Sequence, residues 1–106
     1  MVSLPASIRR PLAGWGRYPV QECSTYRPER VADVVDIVAH APESSLLARG
    51  HGRSYGDAAL NAAQGVILQE RLDHLLAFDE STGILRCESA VSLGDILEHF
   101  LPRGYA

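Results

Sequence analysis

The ten residues from Ala48 to Asp57, ARGHGRSYGD, hold three glycines, two arginines, one histidine and one serine. Two kinds of chemistry fit that content. Glycines let consecutive backbone N–H groups converge on one concavity, because no Cβ obstructs the approach, and such a nest binds anions. Ser54 would add a hydroxyl donor, and Arg49 or Arg53 would supply charge beside a pyrophosphate. Hydrogen bonds to charged groups contribute roughly 1.5–3 kcal/mol each, enough for a handful of donors to hold a diphosphate after the cost of ordering it. Alternatively, Gly52-Arg53-Ser54-Tyr55-Gly56 fits G-x-S-x-G, the pattern that sets a nucleophilic serine on a strained strand-to-helix turn.

Spacing and length narrow the choice. A dinucleotide fingerprint of the Rossmann type needs G-x-G-x-x-G opening a long helix. Here Gly50, Gly52 and Gly56 are one residue too widely spaced at the last step. A Walker loop needs a lysine on the phosphates, and all ten basic residues are arginines. The nucleophile reading has Ser54, Asp79 and His99 in the usual order, but that fold surrounds its elbow with a large parallel sheet. Only residues 55–106 follow Ser54. Asp79 falls at a predicted hairpin turn, and His99 lies on a predicted helix between Glu98 and Phe100. On chemistry alone, a phosphate cradle and a glycine-rich turn with solvated arginines both stand.

The elements that would position the loop follow from periodicity. Residues 1–18 carry prolines and glycines without a period and read as a loose N-terminal arm. Val20–Arg27 is strand-like. Pro28 suits a first helical turn, and Val31, Val34, Val35 and Val38 recur at i, i+3, i+4 and i+7, predicting one buried apolar face. Ser45–Arg49 and Val66–Leu68 read as short buried strands on either side of the loop, with DAALNAAQ (Asp57–Gln64) a helical turn or two between them. HLLAFD and ILRCES flank ESTG as a hairpin with glycine in the turn. Ser92, with Asp95 three residues on, caps a second helix whose stripe is Leu93, Ile96, Leu97, Phe100 and Leu101. The order predicts an α+β fold, an α/β sandwich of helices on a small sheet.

Composition excludes several functions. The chain has 106 residues, 46% of them hydrophobic, and a net charge of −3, which is ordinary for one small globular domain. An acidic chain without a basic cluster is a poor nucleic-acid binder. Cys23 and Cys87 are far apart and form no C-x-x-C, so a zinc or redox site has no support, and no metal site is expected. The N-terminus lacks the apolar stretch of a signal peptide, and no segment reaches the roughly 20 apolar residues that span a membrane. A soluble, cytoplasmic chain is expected.

ARGHGRSYGDAALN resembles the pyrophosphate loop of the vanillyl-alcohol-oxidase superfamily, the flavoenzymes with a PCMH-type FAD domain. One branch shares R-G-x-G-R-S-Y-G-D with an asparagine shortly after. GWGR (Gly14–Arg17), YRP before the first helix, the VIL strand and the hairpin followed by VSLGDIL are similar too, so the likeness covers most of the chain. The resemblance implies FAD as cofactor, with Arg49, Gly50, His51, Gly52, Arg53, Ser54, Tyr55, Gly56, Asp57 and Asn61 at the cofactor site. Many members attach FAD through a histidine just before the serine; Arg53 stands there, so non-covalent FAD is expected. His51 lies two residues earlier, out of register for a flavin link. Trp15 could cover part of the site, although packing is its simpler role. The resemblance further implies an oxidoreductase acting on an alcohol carbon of a sugar, polyol or sugar-lactone. Residues 19–106 would be the first subdomain of the FAD domain, cut short and inactive alone, with no catalytic base in this chain.

Overall fold

The structure, a computed structural model, describes residues 6–54 and 56–105. Four strands form a mixed sheet: β1 (Ile8–Ala13), β2 (Val20–Tyr26), β3 (Leu46–Arg49) and β4 (Gly65–Leu68), in the order β1-β2-β4-β3. β1 runs antiparallel to β2, whereas β2, β4 and β3 are mutually parallel. β4 is paired on both sides and buried at all its positions, which is why VIL reads as an unbroken apolar run. A separate antiparallel hairpin follows, β5 (Leu75–Asp79) and β6 (Ile84–Cys87). The helices are α1 (Val31–His40) and α2 (Leu93–Phe100), the latter continued by a 3-10 turn over Leu101–Arg103.

The two faces of the sheet carry different cores. Leu12, Cys23, Leu60, Val66 and Leu68 cluster on one. Tyr26, Ile37 and Ile67, with Ala41 and Leu46 against them, cluster on the other. Tyr26 is buried, and its hydroxyl donates to the Glu43 carboxylate at 2.8–2.9 Å. Burial, reinforced by that carboxylate, raises the phenol pKa, because both disfavour a phenolate.

Four expectations need correction. The first concerns the N-terminal segment, which is not loose, since Ile8–Ala13 forms an edge strand. Pro11 is compatible with it because an edge position needs no inward N–H. The second concerns α1, which starts at Val31 rather than Pro28 and buries Ile37 instead of the valine stripe; Val38 is 64% exposed. The third concerns α2, which has the expected capping box between Ser92 and Asp95. It buries Phe100, against Phe78 and Tyr105, while Leu93, Leu97 and Leu101 stay exposed. The described residues extend over 46 × 41 × 16 Å. A slab that thin leaves each helix one open side. The fourth concerns DAALNAAQ, which forms consecutive tight turns, closed by Leu60 N–H to Asp57 O and Gln64 N–H to Asn61 O, and no helix. The architecture is α+β. Both cysteines are free thiols, Cys23 buried and Cys87 half-buried. Among the described residues no helix is long and apolar enough to cross a membrane, and no cluster of His, Cys, Asp and Glu could hold a metal ion.

Candidate functional site

The loop leaves β3 at its carboxyl end, where β2 and β4 also end. In open parallel sheets this edge is where ligands bind, because the strand-to-helix or strand-to-loop connections there leave a crevice. A pocket of about 190 Å³ lies at this edge. Arg27 follows β2 into it, Arg49, Gly50 and His51 follow β3, and Glu70 follows β4. Arg10 reaches it from β1, and Leu12 and Leu68 add an apolar surface. Arg27 is ion-paired with Glu70. Sequence reasoning overlooked Arg10 and Arg27. Their signal is topological, since only strand order brings residues from β1 and β2 beside a loop that follows β3.

The loop residues fall into two groups. Gly50, His51, Arg53, Ser54, Gly56 and Asp57 are exposed, and Gly52 is half-buried. Among the described residues, the amides of Gly50, His51, Gly52 and Ser54 donate to no carbonyl or side chain of the protein, and the Ser54 hydroxyl and the Arg53 guanidinium have no partner. Gly52 (φ +72°) and Gly56 (φ +62°) are left-handed, a conformation that turns successive N–H groups toward one side. Donors of this kind are what an anion cradle would use. Tyr55 lies outside the described residues.

The second group holds the cradle in place. The Arg49 side chain is half-buried and donates to Ala59 O (3.2 Å) and Ala13 O (2.6 Å). Asn61 donates through Nδ2 to Gly65 O (3.0 Å), Ser45 O (3.3 Å) and Ser45 Oγ (3.2 Å), so its amide fastens the turns after the loop to the start of β3 and β4. The His51 ring reaches Ala90 O at 3.3 Å, tying the loop to the segment before α2. The N-terminal segment also belongs here. Trp15 N–H donates to Ser54 O at 2.9 Å, and a Cβ on Gly14 would lie 2.5 Å from Ser54 O and 2.8 Å from Gly56 O. Only glycine permits that approach. The Trp15 indole is 61% exposed, so the segment packs on the loop through its backbone and leaves the ring free.

The nucleophile reading finds no geometry. Asp79 accepts from Ser81 N–H (2.9 Å) and Ser81 Oγ (2.7 Å) in the hairpin turn, and the Ser81 bonds hold its carboxyl below the usual carboxylate range. His99 lies on α2 beside Asp73, His74 and Asp95. Neither bonds Ser54 among the described residues, and no helix follows the turn.

Donors without acceptors, on a loop kept rigid from below, suit the phosphates of a nucleotide cofactor. The curated decaprenylphosphoryl-β-D-ribose oxidase of Mycolicibacterium smegmatis is 34% identical over 103 residues, covering 94% of this chain and 22% of the relative. The chain thus spans about a fifth of the length of the curated relative it matches. The FAD binding domain family matches residues 24–106, which include both the loop and the strands that carry it. The chain belongs to the FAD binding domain family.

Proposed function

We propose that the loop from Arg49 to Asp57 holds the FAD pyrophosphate without a covalent bond, within an oxidoreductase that oxidises an alcohol carbon of a sugar or related polyol or sugar-lactone. The observation that carries this reading is the set of amides on Gly50, His51, Gly52 and Ser54, unspent among the described residues, at the carboxyl edge of the parallel strands. Amides and a hydroxyl suit a diphosphate because they donate without a titrating group and stay aimed when the ligand is absent. Ser54 Oγ donates beside them. Arg53 takes the position of the flavin-linking histidine in other members and gives a guanidinium that cannot form that bond. Arg10 adds positive charge to the pocket wall, where Arg27 is balanced by Glu70.

Bound there, the flavin supplies the two-electron oxidation of the alcohol carbon. The chain's part is to bind and orient it. Arg49 and Asn61 fix the loop, and the Gly14–Trp15 backbone closes one side of it. In this reading the N-terminal segment, through Gly14 and Trp15, works together with the FAD-binding part that follows it. The sugar substrate class follows the ribose derivative in the relative's name.

The reading is tested by titrating the purified chain with FAD and with FMN while following flavin fluorescence. FAD should bind in one-to-one ratio and more tightly than FMN, which lacks the pyrophosphate, and denaturation should release it intact. Equal affinity for the two, or flavin retained on the denatured chain, would overturn the assignment.

A further inference from the structure

We propose that Arg49 is the positioning residue of the loop, acting from beneath it, and that position 52 is glycine because of Arg49 rather than because of the ligand. The proposal rests on the loop's reading as the pyrophosphate cradle. Arg49 ends β3, an edge strand, and its guanidinium joins two segments distant in sequence. Nη2 binds Ala13 O, 36 positions earlier, and Nη1 binds Ala59 O, 10 positions later. A guanidinium can do this because its donors are held in a fixed fork; an ammonium has no such fork. The loop between Gly50 and Ala59 is thereby closed over its own first side chain, and the Gly14–Trp15 segment is held where Trp15 N–H meets Ser54 O.

Gly52 lies directly on that fork. A Cβ there would stand 2.3 Å from Arg49 Nη2, 3.0 Å from Cζ and 3.2 Å from Nε. A free arginine tip would step aside at little cost. This tip is not free, since Nη2 is the atom bonded to Ala13 O at 2.6 Å. Making room for a methyl group therefore breaks the tie to the N-terminal segment. Gly56 supplies an internal control. It is left-handed like Gly52, but a Cβ there meets nothing within 4 Å. Gly56→Ala reads the conformational cost alone. Gly52→Ala reads that cost plus the displaced guanidinium.

The test is a cycle of Arg49→Ala, Gly52→Ala and the double variant, with Gly56→Ala in both backgrounds. Each is measured without flavin, by thermal midpoint and by the fluorescence anisotropy of Trp15, the single tryptophan. FAD affinity is then titrated. With Arg49 present, Gly52→Ala should weaken FAD binding about tenfold more than Gly56→Ala. With Arg49→Ala, the two glycine variants should cost the same. Without flavin, Arg49→Ala and Gly52→Ala should each lower Trp15 anisotropy, and the double variant should lower it no further. Arg49→Lys, which can keep one carbonyl bond, should fall between and carries the cycle if Arg49→Ala does not fold. Equal costs of Gly52→Ala in both backgrounds would overturn the proposal. So would an Arg49→Ala protein with reduced FAD affinity but unchanged midpoint and anisotropy, which is the behaviour of a direct ligand contact. Failure of every variant and the parent to bind FAD would sink the cradle reading, while the flavin-free cycle would still decide the role of Arg49.

Discussion

Two turns in this molecule have similar composition and opposite bonding. The hairpin turn Asp79–Gly83 and the loop Gly50–Gly56 both contain serine, charged residues and left-handed glycine. In the hairpin the polar groups satisfy one another. Asp79 takes the Ser81 amide and hydroxyl, Gly83 N–H donates to Asp79 O at 2.8 Å, and Thr82 Oγ1 accepts from Ile84 N–H at 3.3 Å. In the loop the amides of Gly50, His51, Gly52 and Ser54 are unspent among the described residues, and the bonds that fix it come from Arg49, Asn61 and the Trp15 backbone. Glycine content does not separate a structural turn from a binding loop here. What separates them is whether the donors are used and whether the scaffold that holds them lies inside or outside the turn.

The largest effect should come from breaking the outside scaffold. Gly14→Ala forces a methyl group against two backbone oxygens that cannot rotate away. Overpacking of this kind costs about 1–3 kcal/mol of stability, and the loop moves with the displaced segment, so FAD affinity should fall by roughly tenfold or more. Gly83→Ala in the hairpin meets open space. It should cost only the left-handed penalty of about 1–2 kcal/mol and leave FAD affinity unchanged. Urea unfolding and flavin titration on the two proteins check the contrast. A Gly83→Ala protein that loses flavin as readily as Gly14→Ala would erase it.

Next come the two serines. Ser54→Ala removes one hydroxyl donor to a charged ligand, worth about 1.5–3 kcal/mol, so FAD should bind roughly 10–150-fold more weakly with an unchanged melting temperature. Ser81→Ala removes a donor to Asp79 and should do the reverse, lowering stability slightly because the carboxylate is exposed, with no change in FAD affinity. Should Ser54→Ala melt early and still bind FAD normally, its hydroxyl would belong to the scaffold.

What was legible in the sequence divides along the same line. Strands β2 to β6 and both helices came through because apolar runs and the Ser92–Asp95 capping box are local signals. So did the hairpin turn, whose bonds span two to four residues. β1 was hidden because IRRPLA alternates no apolar face; only Leu12 of it is buried. The apolar stripe of α1 missed its buried residue, Ile37, and that of α2 was too wide, since only Phe100 and Ile96 of it are covered; burial is set by which layer covers a helix, and here one side of each is open. The position of the loop was legible through its glycines and its family likeness. The roles of Arg49 and Asn61 as fasteners were not, because their partners are backbone carbonyls, which leave no mark in a sequence.

A smaller effect should come from Ala63, a non-glycine residue at φ +61° whose N–H donates to Glu22 O at 2.8 Å. The strain lies in the scaffold beyond the loop. Ala63→Gly relieves it, partly offset by the greater freedom of glycine in the unfolded chain. The net should be a gain of a few tenths to about 1 kcal/mol, read by urea unfolding, with FAD affinity unchanged.

The smallest effect should be a pH dependence confined to the hairpin side. His74 and Glu88 close the open end of β5–β6, with the ring Nδ1 bonded to the Glu88 carboxylate, His74 N–H donating to Glu88 Oε1 at 3.1 Å and Glu88 N–H donating to His74 O at 3.0 Å. The hydrogen bond to Glu88 raises the His74 pKa above its ordinary 6.5, and Asp73 adds to it. The same bond lowers Glu88 below its ordinary 4.5. The raised histidine stabilises the fold fully below pH 6.5 and loses that contribution as pH rises through its folded value. The lowered glutamate contributes above pH 4.5 and loses that contribution as pH falls through its folded value. The pair should therefore help most between 4.5 and 6.5. The His74 ring is solvent-exposed, although the Glu88 side chain is largely covered, and screening on the histidine side keeps the amplitude small. Melting temperatures across this range should show a shallow maximum that Glu88→Gln flattens on both sides, while FAD affinity, set by amides that do not titrate, stays level. A flavin affinity that followed the same profile would mean that the loop and the hairpin are coupled, through His51 and Ala90, and would end the separation between the two turns.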